Sequence, residues 1–310
     1  MHEKIDSAHR KIEALLGRPK SAVCPIFREY DGKMESFGSG VFIKIEHLVF
    51  LLTAAHVFDA FTDSTLYIPG KKSLQEIVGM ITGFQMPESG NRSDDRYDFA
   101  YCRLDSELAN NLHPDFISLN ADDCDTMDTT EDGDMYTIVG FPFSRSNTRS
   151  GSAESEILVM SGTGKMTSNY QKLRLSAKDN IAVLFRLKKA KSFVTGLTGS
   201  TPNFPGISGG AILAWDKRLP DPKALNTPKL CAIIHEYHKG INCFVGTRLH
   251  CFLVAIKKNE PTLGIESSVR KFPDRNSAFE ISEQDQSKIS QVMGQYLKEK
   301  RRMHNNRSEQ

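Results

Sequence analysis

Residues 38–60 read GSGVFIKIEHLVFLLTAAHVFDA, two apolar runs separated by Glu46 and His47 and closed by small residues just ahead of His56. Each run is short, rich in β-branched and aromatic residues, and bounded by glycine or polar positions. That pattern predicts neighbouring antiparallel strands rather than a helix, whose apolar residues would recur every three to four positions. The same texture continues in both directions. SAVCPIFREY (21–30) precedes it, and STLYIPG (64–70), EIVGMITGF (76–84), DFAYCRL (98–104) and DMYTIVGFP (134–142) follow.

A second series runs through AESEILVMSGTGKM (153–166), IAVLFRL (181–187), FPGISGGAIL (204–213), KLCAIIHEY (229–237), NCFVGTRLH (242–250) and CFLVAIKK (251–258). Between the two series lies SRSNTRSGS (144–152), polar throughout and read as a linker. The expectation is an all-β protein of two units, covering residues 21–145 and 146–258. Residues 1–20 form a further element, because Ile5, Ile12, Leu15 and Leu16 share a helical face before Gly17 and Pro19. Residues 259–310 read as a linker and a second amphipathic helix, with Ser282 as N-cap and Ile289, Val292, Met293 and Leu297 on one face.

Composition excludes several function classes. Forty basic residues against 38 acidic ones leave a formal charge of +2, so no broad field favours nucleic acid. The basic run KEKRRMHNNR (298–307) is terminal and reads as a solvated helix end. The N-terminus lacks the apolar core of a secretory signal, and the longest apolar stretch, 47–58, is shorter than the ~20 residues of a membrane span. A cytoplasmic protein without membrane attachment is expected. Six cysteines without a CxxC pair read as free thiols, and the spacing of Cys231, His235, His238, Cys243, His250 and Cys251 fits no common structural metal site. Neither metal nor cofactor is expected.

The chemistry is concentrated in three places. A serine hydroxyl becomes a useful nucleophile only beside a base, with an acid to orient that base and backbone donors for the oxyanion. His56 ends an apolar strand among small residues, which leave its ring reachable. Asp98 enters the strand DFAYCRL at the rim of a core, better placed than Asp94, Asp95 or Asp105. Ser208 lies in GISGG, where Gly206 and Ser208 can direct two N–H groups into one concavity and Gly209 and Gly210 permit a sharp turn.

TAAH at His56, DFA at Asp98 and GISGG at Ser208 resemble the motifs of the chymotrypsin-like (trypsin-fold) serine peptidases, in that family's chain order. Asp98 follows His56 by 42 residues and Ser208 follows Asp98 by 110. The resemblance covers about residues 21–258. It implies two antiparallel six-stranded β-barrels with short terminal helices, and a cleft between them holding Ser208 as nucleophile, His56 as general base and acid, and Asp98 as orienting carboxylate. The amides of Gly206 and Ser208 would form the oxyanion hole. GxSxG also occurs at the nucleophile elbow of α/β-hydrolases, but there the acid and histidine follow the serine.

Ile207 stands where zymogen-activated members carry an aspartate, and Val57 where secreted members carry a disulfide cysteine. The texture is therefore most similar to the HtrA-like, glutamyl endopeptidase and viral 3C-like branches. The resemblance further implies a primary pocket involving His235, Pro202, Asn203 and Tyr237, with His235 favouring Glu or Gln before the scissile bond. The expected substrate is a protein or peptide, and the terminal helices could dock a regulatory partner. The alternative is a catalytically silent, peptidase-like binding module.

Overall fold

The computed structural model describes residues 2–83, 86–87, 89–126, 135–149, 152–164, 170, 173–185, 204–215 and 226–265. A helix, α1 (His2–Ser21), leads into β1 (Val23–Tyr30), β2 (Lys33–Ile45) and β3 (Leu48–Thr53), so the opening stretch does form adjacent strands. The chain then makes the short helix α2 (Ala55–Asp59), β4 (Thr65–Pro69), β5 (Leu74–Glu76), β6 (Gly79–Gly83) and β7 (Ala100–Leu104). These strands pair antiparallel in the order β5-β4-β1-β2-β3-β7-β6.

The first sheet thus has seven strands rather than six, and no ladder closes it. Its two edges, β5 and β6, are nonetheless joined by Ile77 and Val78 alone. A link that short spans about 10 Å, so the sheet must curl until its edges approach. Inside the curl lie Ile26, Phe42, Leu51, Leu66, Ile68 and Cys102, all fully buried.

After helix α3 (Ser106–Asn110) come β8 (Met135–Gly140), β9 (Ser146–Arg149), β10 (Ser152–Ser155), β11 (Leu158–Gly164), β12 (Asn180–Leu184), β13 (Ala211–Ala214), β14 (Lys229–His238) and β15 (Cys243–Arg248). A closed six-stranded barrel forms in the order β11-β12-β15-β14-β13-β8. Strand β8 belongs to this second barrel, although its sequence sits with the first series. The stretch read as a linker contains β9 and β10, which pair as an antiparallel hairpin.

CFLVAIKK is not a strand but lies in helix α4 (Leu249–Asn259). Its buried Leu249, Phe252 and Ile256 are spaced three and four apart, and a short apolar run of this kind does not distinguish strand from helix until the period is weighed. The helix leans on the first sheet, with the Phe252 and Phe99 rings 4.6 Å apart. All six cysteines are free thiols, five of them buried. Among the described residues, no helix is long and apolar enough to cross a membrane. The expected C-terminal helix and the basic run 298–307 lie outside the described residues.

Candidate active site

Asp98 holds His56 twice. Its Oδ2 meets the imidazole Nδ1 at 2.7 Å, and its Oδ1 accepts the His56 backbone N–H at 2.9 Å. The Asp98 carbonyl also accepts the Ala55 amide at 3.1 Å, which fixes the first turn of α2 to the loop before β7. This three-point grip coincides with a left-handed backbone at Asp98, φ +34°, a conformation that aspartate tolerates better than most residues.

The Asp98 side chain is 7% exposed and that of His56 is 36% exposed, so the acid is sealed while the imidazole stays open to solvent. Burial works against a charged His56. The bond to Asp98 and its charge, assisted by Asp59 and opposed by Arg92, outweigh that and lift the imidazole above its ordinary range.

Ser208 sits in the turn between Phe204 and β13. Gly206 and Gly209 have φ of +94° and +86°, and a Cβ on Gly209 would lie 1.8 Å from the Ser39 carbonyl oxygen. Only glycine fits there. The turn is fastened on both sides: Gly209 N–H donates to Ile234 O at 2.7 Å, and Ser208 O accepts from Ser39 N at 2.8 Å. Among the described residues, the N–H groups of Gly206 and Ser208 have no acceptor. A pair of unengaged amides flanking a serine is a ready anion receptor.

The Ser208 hydroxyl donates to the carbonyl of His235 at 3.3 Å, not to the imidazole of His56. A register shift between Ile234 and Glu236 makes His235 the extra residue of a bulge in β14. The residue is buried, 6% exposed, with its ring Nε2 lacking a hydrogen-bond partner. Burial drives its pKa down to about 4, with Asp98 pulling up and His56 and His238 pushing down. His235 therefore lies within the field of both His56 and Asp98, as a neutral ring at neutral pH.

Of the expected pocket residues, Tyr237 packs its ring against Phe204 at 4.5 Å and donates to Asn242 Oδ1 at 3.0 Å. Pro202 and Asn203 lie outside the described residues.

Ser39, which the sequence reading passed over, is central. Fully buried, it donates its hydroxyl to Gly206 O at 2.9 Å, accepts the Phe141 amide on the same oxygen at 2.9 Å, and its own carbonyl accepts from Thr53 Oγ1 at 2.8 Å. The signal available was the GSG at 38–40, two glycines in a strand, which marks close backbone approach.

One group of metal-ligand type occurs among the described residues, Asp179, His250 and Cys251, with ligand atoms within 4.8 Å of one another. Burial holds the Cys251 thiol far above its ordinary pKa, and His250 pairs with Asp179 at 3.7 Å.

No family description and no curated protein matches this chain. Similarity appears among solved structures. The atomic-resolution structure of HBP aligns at a TM-score of 0.50 with 15% identity, covering 81% of this chain and 96% of that one. Human heparin binding protein gives 0.49 and 16% over the same shares. The protease Anisep from Arthrobacter nicotinovorans gives 0.44 and 13%, covering 74% and 91%. At this identity the likeness is one of fold: the chain has the double-barrel architecture of the trypsin-like fold, with one barrel closed by its ladders and one curled but open.

Proposed function

We propose that the protein is a serine endopeptidase that cleaves peptide bonds through an acyl-enzyme. Ser208 is the nucleophile, His56 the general base and then acid, and Asp98 the carboxylate that fixes the imidazole. The observation that carries this reading is the pair of hydrogen bonds that Asp98 accepts from His56, at 2.7 Å from the ring and 2.9 Å from the backbone. A carboxylate spent on both atoms sets the tautomer with its proton on Nδ1 and leaves Nε2 as the base.

In the first step the Ser208 hydroxyl turns from the His235 carbonyl toward Nε2, gives up its proton there and bonds to the substrate carbonyl carbon. The oxyanion takes the unengaged amides of Gly206 and Ser208. Collapse expels the amine, which receives the proton from the imidazolium. Water repeats the sequence, releases the acid and restores Ser208.

His235 favours Glu or Gln before the scissile bond, its buried, unpartnered Nε2 being the group to meet a carboxyl or amide. Digestion of a peptide library varied at that position, by wild type and His235→Ala, tests the preference, and an unchanged profile in the variant refutes it. Restraint of such an activity falls to a partner docking on the terminal segments. Equal turnover by the full chain and a chain lacking residues 266–310 would contradict that.

The alternative, a silent binding module of the same fold, is favoured by one observation: the Ser208 hydroxyl is bonded to a carbonyl rather than to the base. Proteome-wide comparison of new termini generated by wild type and Ser208→Ala separates the two. Termini that depend on Ser208 establish the peptidase, and identical sets establish the module.

A further inference from the structure

The inference drawn here rests on the peptidase reading and concerns a residue with no part in the three roles above. Arg92 is 12% exposed and forms a forked contact with Asp59, Nε to Oδ2 at 3.0 Å and Nη2 to Oδ1 at 2.7 Å. Its Nη1 reaches Asp95 Oδ2 at 3.0 Å, and the Asp95 side chain is 4% exposed. Asp59 lies three residues after His56, at the last position of α2, and Asp95 lies three residues before Asp98. One guanidinium therefore ties the helix bearing the base to the loop bearing the acid.

The other oxygen of Asp95 extends this tie, since Oδ1 accepts the amide of Tyr97, the residue before Asp98, at 2.9 Å. The arginine thus reaches the backbone on which the left-handed Asp98 is mounted. A bidentate contact resists rotation where a single one would not, and lysine cannot reproduce it.

We infer that Arg92 is the positioning residue of the His56–Asp98 pair, locking its two supports together while its charge offsets that of Asp59. Asp95 would be an expensive buried carboxylate without its cation. The charged or titratable groups that act on His56 are Asp98 from the loop, Asp59 from α2, Arg92 from the 3₁₀ turn Arg92–Asp94, and His235 from β14.

The test follows the His56 titration by NMR in the full chain, which needs no turnover, alongside the pH dependence of Ser208 labelling by a fluorophosphonate. Arg92→Gln removes the cation and leaves the Asp59 charge uncompensated, so the His56 midpoint rises by about half a pH unit or more. Asp59→Asn moves it the other way. Labelling by Arg92→Gln falls at least about tenfold at neutral pH, while Arg92→Lys retains the midpoint but not the full rate.

A residue serving only to hold the fold would lower stability without moving the midpoint. If either folded variant shifts the midpoint in the stated direction, the inference stands. An unchanged midpoint in Asp59→Asn, the more exposed and better tolerated change, overturns it even if Arg92→Gln fails to fold. Absence of labelling in the wild type would instead count against the peptidase reading, leaving the titration to judge Arg92.

Discussion

Ser39 donates its hydroxyl to the carbonyl of Gly206 at 2.9 Å, across 167 residues of chain. With the 2.8 Å bond from the Ser39 amide to Ser208 O, this makes a strand of the first sheet the mould for the turn that holds Ser208. The two β-units are thereby joined at the atoms where the chemistry is proposed to occur.

Ser39→Ala leaves the Gly206 carbonyl and the Phe141 amide without their shared partner in a fully buried site. The expected loss is about 1–3 kcal/mol, read as a lower urea midpoint at constant slope. Fluorophosphonate labelling of Ser208 should slow by at least about tenfold, because the two amide donors lose their fixed aim. Labelling at the wild-type rate would show that the turn holds itself.

Gly209→Ala places a methyl group 1.8 Å from Ser39 O and 2.2 Å from Thr53 Oγ1, at a φ of +86°. Backbone cannot yield cheaply there, so destabilisation beyond about 3 kcal/mol is expected, seen as a large drop in Tm or failure to fold. Gly240→Ala, with nothing within 4 Å, is the matched control and should be near neutral.

His235 makes stability depend on pH. Its folded pKa of about 4 lies below the ordinary unfolded value of about 6.5, so the unfolded chain binds the extra proton between those limits. The contribution is complete above pH 6.5 and is lost as pH falls to 4, amounting to about 3 kcal/mol across the window. Thermal denaturation from pH 7 to 4.5 should show a steeper fall for the wild type than for His235→Gln. Parallel curves would mean that the ring is not buried and neutral.

The raised His56 pKa has the opposite linkage. Its stabilising share is present below pH 6.5 and is lost as pH rises through the folded value. Since an imidazole must be neutral to act in the proposed role of base, Ser208 labelling should increase with pH through a midpoint above 6.5, and Asp98→Asn should lower that midpoint and cut turnover on the order of 10⁴-fold. A flat pH profile would remove His56 from the role of base.

Much of this site was legible in the sequence because its determinants are local. TAAH ends a strand where α2 begins, DFA begins one, and GISGG can only be a turn. The strand count was not legible, because β8 pairs with β13 and β11 across long separations and nothing local assigns it to a barrel. Helix α4 was hidden by an apolar run shorter than two full periods. Ser39 and Arg92 were missed for a related reason: each is tied to a partner distant in the chain, Gly206 for the one and Asp59 for the other, that composition does not join to it.

The most direct measurement is mass-resolved fluorophosphonate labelling of the full chain at pH 8, comparing wild type with His56→Ala. A single adduct on Ser208, slowed on the order of 10³-fold or more by loss of the imidazole, is the predicted result. No adduct on Ser208, or one formed equally fast without His56, would contradict the account.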